Sequence, residues 1–238
     1  MATASVLMAD AFEIQPCTPH RRVIRDEGAH AVIGVSVGNG CFSAGRLHDL
    51  ARWGLEHFGR VDLVCADLYV AEMYEAFGYP PGEARRKAAK SLRGVRAKVR
   101  NAVTAAEPDG ARLRRQPMSR FRADAAYQEI HRRLWRQLDE DDDFRALCDD
   151  LVGRFLSARG EAAEARQRAV CLEYVCAELP LFLDAPAILR LPSSLVCYHQ
   201  RLPMAELPYG RGAGLRASRN QGRAIVTPAA PSHTANSK

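Results

Sequence analysis

Two short, nearly unbroken apolar runs frame the first third of the chain. His30-Ala31-Val32-Ile33-Gly34-Val35-Ser36 and Val61-Asp62-Leu63-Val64-Cys65-Ala66-Asp67 do not alternate with polar residues, which predicts strands buried on both faces. The first run ends in the turn Val37-Gly38-Asn39-Gly40 and passes into a helical apolar period from Ser43 to Phe58. A second helical period covers Ala71 to Phe77 and stops before Gly78 and Pro80. Strand, helix, strand, helix predicts an α/β fold, a single Rossmann-like domain with a largely parallel sheet flanked by helices.

Further along, Arg112 to Gln116 reads as a third strand, Ser193 to Tyr198 as a late one and Arg223 to Val226 as the last. Helical periods cover Asp124 to Leu138, Asp143 to Ala158 and Glu161 to Glu178. Residues 1–20, with Pro16 and Pro19, read as a flexible arm, 21–228 as the folded domain and 229–238 as a disordered tail of Ala, Pro, Ser, Thr and Asn. No internal repeat interrupts this order.

Composition narrows the class. The 238 residues are 47% apolar and 26% charged, enough to bury one sizeable core and unlike a disordered or collagenous chain. No apolar run approaches the ~20 residues that span a bilayer, and the first ten residues lack the basic start of a signal peptide. The seven cysteines are odd in number, form no CxxC pair and lie mostly in apolar segments, as for buried thiols in a reducing cytoplasm. No apolar stripe is left over once sheet and helices are assigned, which predicts a monomer.

Charge is localised. The chain carries 34 bases against 28 acids. Eight of the bases (Arg85, Arg86, Lys87, Lys90, Arg93, Arg96, Lys98 and Arg100) fall in one stretch without an acid. Ala84, Ala88, Leu92, Val95, Val99 and Val103 recur at helical spacing within it, so the bases occupy the exposed face of an amphipathic helix. Arg112, Arg114, Arg115, Arg120 and Arg122 follow. A face of one sign suits a phosphate backbone recognised by charge, whereas a membrane-surface helix needs bulkier apolar residues than Ala and Val. The acidic run Asp139 to Asp143 reads as a charged connection that opens the next helix.

Three clusters carry chemistry. Gly34-Val35-Ser36-Val37-Gly38 matches GxSxG between a strand and a helix, placing the Ser36 hydroxyl at the carboxyl edge of the sheet, with the Asn39 amide in the same turn. Tyr174 and Glu178 are spaced i,i+4 on an otherwise apolar helix, so a phenol and a carboxylate project together. A carboxylate there calls for a partner or a bound cation such as an amine. Tyr198-His199 closes the late strand and points into the same crevice. A P-loop, GxGxxG and HExxH are all missing.

With these residues collected, the chain resembles the cyclodipeptide synthases, which join two aminoacyl-tRNAs into a cyclic dipeptide. The resemblance runs from about Val23 to Val226 and rests on HAVIGVSVGNGCFS, DLVCADLYVAEMYEAFG, LEYVCAELPLFLDAP and LPSSLVCYH in this order. It implies a fold similar to the catalytic domain of class I aminoacyl-tRNA synthetases. It also implies Ser36 as the nucleophile, Asn39 beside it, Tyr174 and Glu178 holding the aminoacyl amino group, and Tyr198 closing the site. Tyr198-His199 together with Asn39 resembles the larger of the family's two subgroups. The first side-chain pocket falls on Val32, Gly34, Val64, Leu181 and Val196, and the basic helix on the tRNA-carrying face. Gly40-Cys41 replace larger residues common in the family, and Gly94 and Ala97 thin the basic helix.

The resemblance implies a ping-pong reaction through an aminoacyl-enzyme and a dipeptidyl-enzyme on Ser36, with Tyr198 and Glu178 relaying protons. The ester is already activated, so neither ATP nor a cofactor is expected, and the product can pass to a tailoring enzyme. The uncharged pocket set predicts uncharged, mainly apolar amino acids. Two rivals differ in class. An α/β-hydrolase-type esterase would use Ser36, Asp184 and His199, which stand in that fold's chain order. A non-catalytic RNA-binding module would use the basic helix alone, but the helix contains no stacking aromatic.

Overall fold

The two apolar runs form adjacent strands, as their composition requires. In the computed structural model, which describes residues 12–16, 19–157, 164–200 and 215–229, β1 is Phe12–Pro16, β2 His30–Ser36, β3 Arg60–Ala66, β4 Leu113–Pro117, β5 Ser194–Tyr198 and β6 Gln221–Pro228. The helices are α1 (Pro19–Glu27), α2 (Ala44–His57), α3 (Val70–Ala76), α4 (Pro81–Ala106), α5 (Ala125–Glu140), α6 (Asp142–Ser157) and α7 (Ala165–Leu189). The sheet order is β1-β6-β5-β2-β3-β4. Every pair is parallel except β1 with β6. Strand order therefore reverses direction between β2 and β5, and the crevice at their carboxyl ends is where open α/β sheets bind ligands.

Alternation along the strands assigns the two faces. Ala31, Ile33, Val35, Val61, Leu63, Leu195 and Cys197 pack with Leu47, Trp53, Val95 and Val99 of α2 and α4. Val32, Val64 and Val196 pack on the opposite side with α5, α6 and α7, through Leu134, Phe144, Cys176 and Leu181. Ser36 shares parity with Val32 and so faces α7. The 26-residue α4 starts with Pro81 in its first turn and buries Ala84, Ala88, Val95, Val99 and Ala102. These small residues let the helix lie close to the sheet while its bases stay outside. Asp141 caps α6 by accepting from the Phe144 N–H at 2.9 Å, so the acidic run is a helix start.

Two expectations are corrected. Phe12–Pro16 is not a loose arm: it is a strand running antiparallel to β6, pairing Phe12 with Pro228. Its edge position tolerates Pro16, and nothing local signals a partner more than two hundred residues away. Residues 1–11 and 230–238 lie outside the described set. The second correction is that α7 continues past Pro180 and Pro186. A kink at Asp184 (φ −158°, ψ 63°) absorbs the prolines. The Asp184 carboxylate re-caps the last turn by accepting from the Ala187 N–H at 3.1 Å, and Gln221 Oε1 accepts from the Ala185 N–H at 2.7 Å. Among the described residues no helix is long and apolar enough to cross a membrane.

Candidate active site

Ser36 ends β2 at the switch point, and the turn beyond it needs Gly38 in the left-handed region (φ 76°). Its Oγ lies 2.9 Å from the Tyr198 hydroxyl at the end of β5. Tyr174, one turn before Glu178 on α7, is coupled electrostatically to both the Ser36 hydroxyl and the Glu178 carboxylate. Four residues from three separate segments thus form one cluster: Tyr198, Ser36, Tyr174 and Glu178. The ring of Tyr198 lies over Gly34, where an added Cβ would sit 3.3 Å from Cδ2, so a side chain at this strand position would crowd the phenol that reaches Ser36.

Burial dominates the electrostatics here. It raises Glu178 from the ordinary carboxylate value to about 7, against the opposing hydrogen bond from Tyr174. Both phenols are pushed up by burial and by the nearby Glu178 charge, so both keep their protons at neutral pH. Arg223 on β6 is 0% exposed, and its charge partly offsets the upward push on Tyr198.

Asn39 is held at both ends of its amide. Its Oδ1 accepts from the Cys41 N–H at 2.9 Å, and its Nδ2 donates to His199 Nε2 at 3.2 Å. Burial and Arg46 lower the His199 pKa, which suits a neutral ring accepting that bond. Val32, Val64, Leu181 and Val196 are each no more than 3% exposed, so they form the packed floor under Ser36.

The basic helix runs beside the site. Lys87, Lys90 and Lys98 border a cleft of about 570 Å³ that also reaches Ser36 and Asn39. Arg85, Arg86, Arg93 and Arg100 are exposed on the helix. Arg96 instead pairs with Asp67 at 2.8 Å, and Asp67 also accepts from the Ser119 N–H and Oγ, so that arginine anchors α4 to the end of β3.

The esterase triad does not assemble. Asp184 caps a helical turn beside Ser218 and Asn220, at the opposite edge of the sheet from His199. A second Ser-His-Asp geometry does exist: His30 Nε2 donates to Asp62 Oδ2 at 2.9 Å, and Ser194 Oγ lies 2.8 Å from His30 Nδ1. All three are at most 2% exposed, and Arg60 and Gln116 also bond Asp62. This network staples β2, β3, β4 and β5 at the edge of the sheet away from Ser36. Burial alone would raise the Asp62 pKa, but the bond and charge of His30, with Arg60 and Gln116, lower it below the ordinary value. Its contribution to stability is therefore present above the ordinary carboxylate range and lost as pH falls through the depressed value. Asp62→Ala is expected to cost about 3 kcal/mol in chemical denaturation, because it strands buried donors. Ser194→Ala should leave product yield within about twofold, since a buried hydroxyl bond contributes only ~1 kcal/mol. A turnover loss with an unchanged denaturation curve would instead make this network catalytic.

Sequence reasoning missed Tyr74, Tyr79 and Tyr127. Tyr127 on α5 donates to the Ala177 carbonyl at 2.9 Å and so fixes α7 next to Glu178. Tyr74 borders the cleft, and its hydroxyl lies 3.0 Å from Ser91 Oγ on α4. The i,i+4 rule finds partners within one helix, and these contacts join two.

Residues 12–228 match the family model of the cyclodipeptide synthases, and the chain belongs to that family, whose members are enzymes that form peptide bonds. The cyclo(L-tyrosyl-L-tyrosyl) synthase of Mycobacterium tuberculosis is 56% identical over 222 residues, 92% of this chain and 77% of that protein. The cyclo(L-leucyl-L-phenylalanyl) synthase of Streptomyces noursei is 33% identical over 87% of this chain and 88% of its own. The solved structure of a Mycobacterium tuberculosis protein, described as relating cyclodipeptide synthetases to type I tRNA synthetases, superposes with a TM-score of 0.87. It is 57% identical and covers 92% of this chain and 94% of that one.

Proposed function

We propose that the chain joins two aminoacyl groups, delivered as aminoacyl-tRNAs, into a cyclic dipeptide through covalent intermediates on Ser36, and that tyrosine is a substrate. The observation that carries this reading is the cluster of Tyr198, Ser36, Tyr174 and Glu178 at the strand switch point, with Ser36 Oγ 2.9 Å from the Tyr198 hydroxyl, beside a cleft edged by lysines. Tyrosine is supported by the 56% identity to a tyrosine-joining relative.

Ser36 Oγ attacks the ester carbonyl of the first aminoacyl-tRNA. The ester C–O bond breaks, the ribose oxygen takes the serine proton through the neighbouring phenols, and an aminoacyl-enzyme remains. The ester carries its own activation, so no ATP is consumed. Glu178 with Tyr174 holds the bound residue's ammonium, a charge-assisted contact that explains a carboxylate on an apolar helix. Glu178 then accepts one proton from that ammonium. The freed amine attacks the ester of the second aminoacyl-tRNA, whose C–O bond breaks. The ribose oxygen leaves with the proton that the amine gives up, a dipeptidyl-enzyme remains, and Glu178 passes its own proton to solvent. The terminal amine of that dipeptide attacks the Ser36 ester, which closes the ring and returns the proton to Ser36.

Purified protein given tyrosyl-tRNA is expected to yield a compound with the mass of two tyrosines less two waters. Intact-mass measurement during turnover should show a tyrosyl adduct on Ser36. A cyclic product from other aminoacyl-tRNAs alone would revise the substrate, and no cyclic product from any aminoacyl-tRNA would refute the reading.

A further inference from the structure

We propose that Tyr74, which borders the cleft between the β2 turn and α4, is a positioning residue on whose ring one base of the RNA substrate's unpaired 3′ end stacks. The proposal rests on the aminoacyl-tRNA reading above and adds a residue and a contact to it. The floor of the cleft is bare: Gly38, Gly40 and Gly94 line it, and a Cβ added to any of them would meet nothing within 4 Å. Lys87, Lys90 and Lys98 stand along one side, spread over about 16 Å of helix, and among the described residues no acid lines the cleft, although Lys87 also pairs with Glu83 at 3.8 Å. Room without side chains beside a row of cations accepts a sugar–phosphate strand more readily than a folded protein surface.

Tyr74 supplies what the basic helix lacks. Its ring borders the cleft and is held in place twice, by its hydroxyl 3.0 Å from Ser91 Oγ and by the ring of Tyr79 edge-on at 5.6 Å and 84°. The Lys87 ammonium lies 4.3 Å from the centroid of Tyr79, which backs Tyr74 from outside the cleft lining. A positively charged groove with an aromatic platform is the general design for binding single-stranded nucleic acid without reading its sequence. That suits a terminus common to every tRNA, and Ser36 at the inner end of the cleft would meet an ester carried on that terminus. A ring fixed before binding loses little freedom on stacking.

The test measures binding of uncharged tRNA, intact and lacking its last three nucleotides, to wild type, Tyr74→Leu and Tyr74→Phe. Wild type should favour the intact tRNA. Tyr74→Leu should weaken intact tRNA about tenfold or more, the usual range for losing one stacked base, yet bind truncated tRNA as wild type does. Tyr74→Phe keeps the ring and should stay within about twofold. Unchanged binding of intact tRNA by Tyr74→Leu, or equal weakening for both tRNAs, would overturn the stacking role. If wild type makes cyclic product but does not distinguish the two tRNAs, the stacking role is wrong while the enzyme reading stands. If it makes no product, the enzyme reading fails and the stacking role with it.

Discussion

Replacing Ser36 with alanine is expected to lower cyclic-dipeptide formation by about 10⁴-fold or more while leaving tRNA binding intact. The covalent route has no second nucleophile to fall back on: the nearest hydroxyls are the phenols of Tyr198 and Tyr174, and burial keeps both protonated. Removing one member of an obligatory covalent pathway costs nearly the whole rate enhancement of that pathway. The fold should survive, because the lost hydroxyl leaves the Tyr198 phenol short of one neutral hydrogen bond, a penalty of ~1–3 kcal/mol. Intact-mass measurement separates this from unfolding: wild type shows the aminoacyl adduct and the variant shows none, while both bind uncharged tRNA alike. Turnover by Ser36→Ala within about a hundredfold of wild type would mean that the two aminoacyl groups are joined without an enzyme-bound ester.

Much of this site could be read before any coordinates, for a physical reason. Parallel strands buried on both faces are near-continuous apolar runs, so β2 and β3 stand out, and the last residue of β2 is automatically at the ligand-binding edge. Tyr174 and Glu178 are legible because a carboxylate with apolar neighbours on its helix demands an explanation. What stayed hidden depends on long-range pairing. The five residues of β1 alternate as Phe12-Glu13-Ile14-Gln15, but the run is short and ends in Pro16, and its partners lie at the far end of the chain. Asp184 fits a triad by chain order alone, whereas the kink in α7 turns it into a helix cap. The network of His30, Asp62 and Ser194 uses residues from three strands, each polar side chain looking like an interruption in its own run. Tyr74 shows the same limit from the other side. The basic helix has no aromatic of its own, and a neighbouring helix supplies one.

Replacing Glu178 with glutamine is expected to cut turnover about 10³-fold and to erase the acid limb of the pH profile. Burial holds Glu178 at about 7, two to three pH units above an ordinary carboxyl. The α-amine it faces has an ordinary pKa of about 8. A base and an amine matched this closely can pass a proton at neutral pH, which both attacking amines require. For wild type, kcat/KM should fall about tenfold per pH unit below 7, as Glu178 becomes neutral and can no longer hold an ammonium. Glutamine keeps the shape and a hydrogen-bond acceptor but neither the charge nor the proton exchange, so its residual activity should lose that limb. Stability should move the other way. A carboxyl raised in the folded state stabilises below its unfolded value and loses that contribution as pH rises through 7. At pH 8 the buried charge is a cost that glutamine removes, so Tm of Glu178→Gln should exceed that of wild type by about 2–4 °C for each kcal/mol recovered. The difference should shrink towards pH 5. Lower stability at pH 8, or an acid limb that survives the substitution, would place the proton-accepting group elsewhere. A gain in stability with a loss of turnover is the pattern of a charge kept in the core for its chemistry.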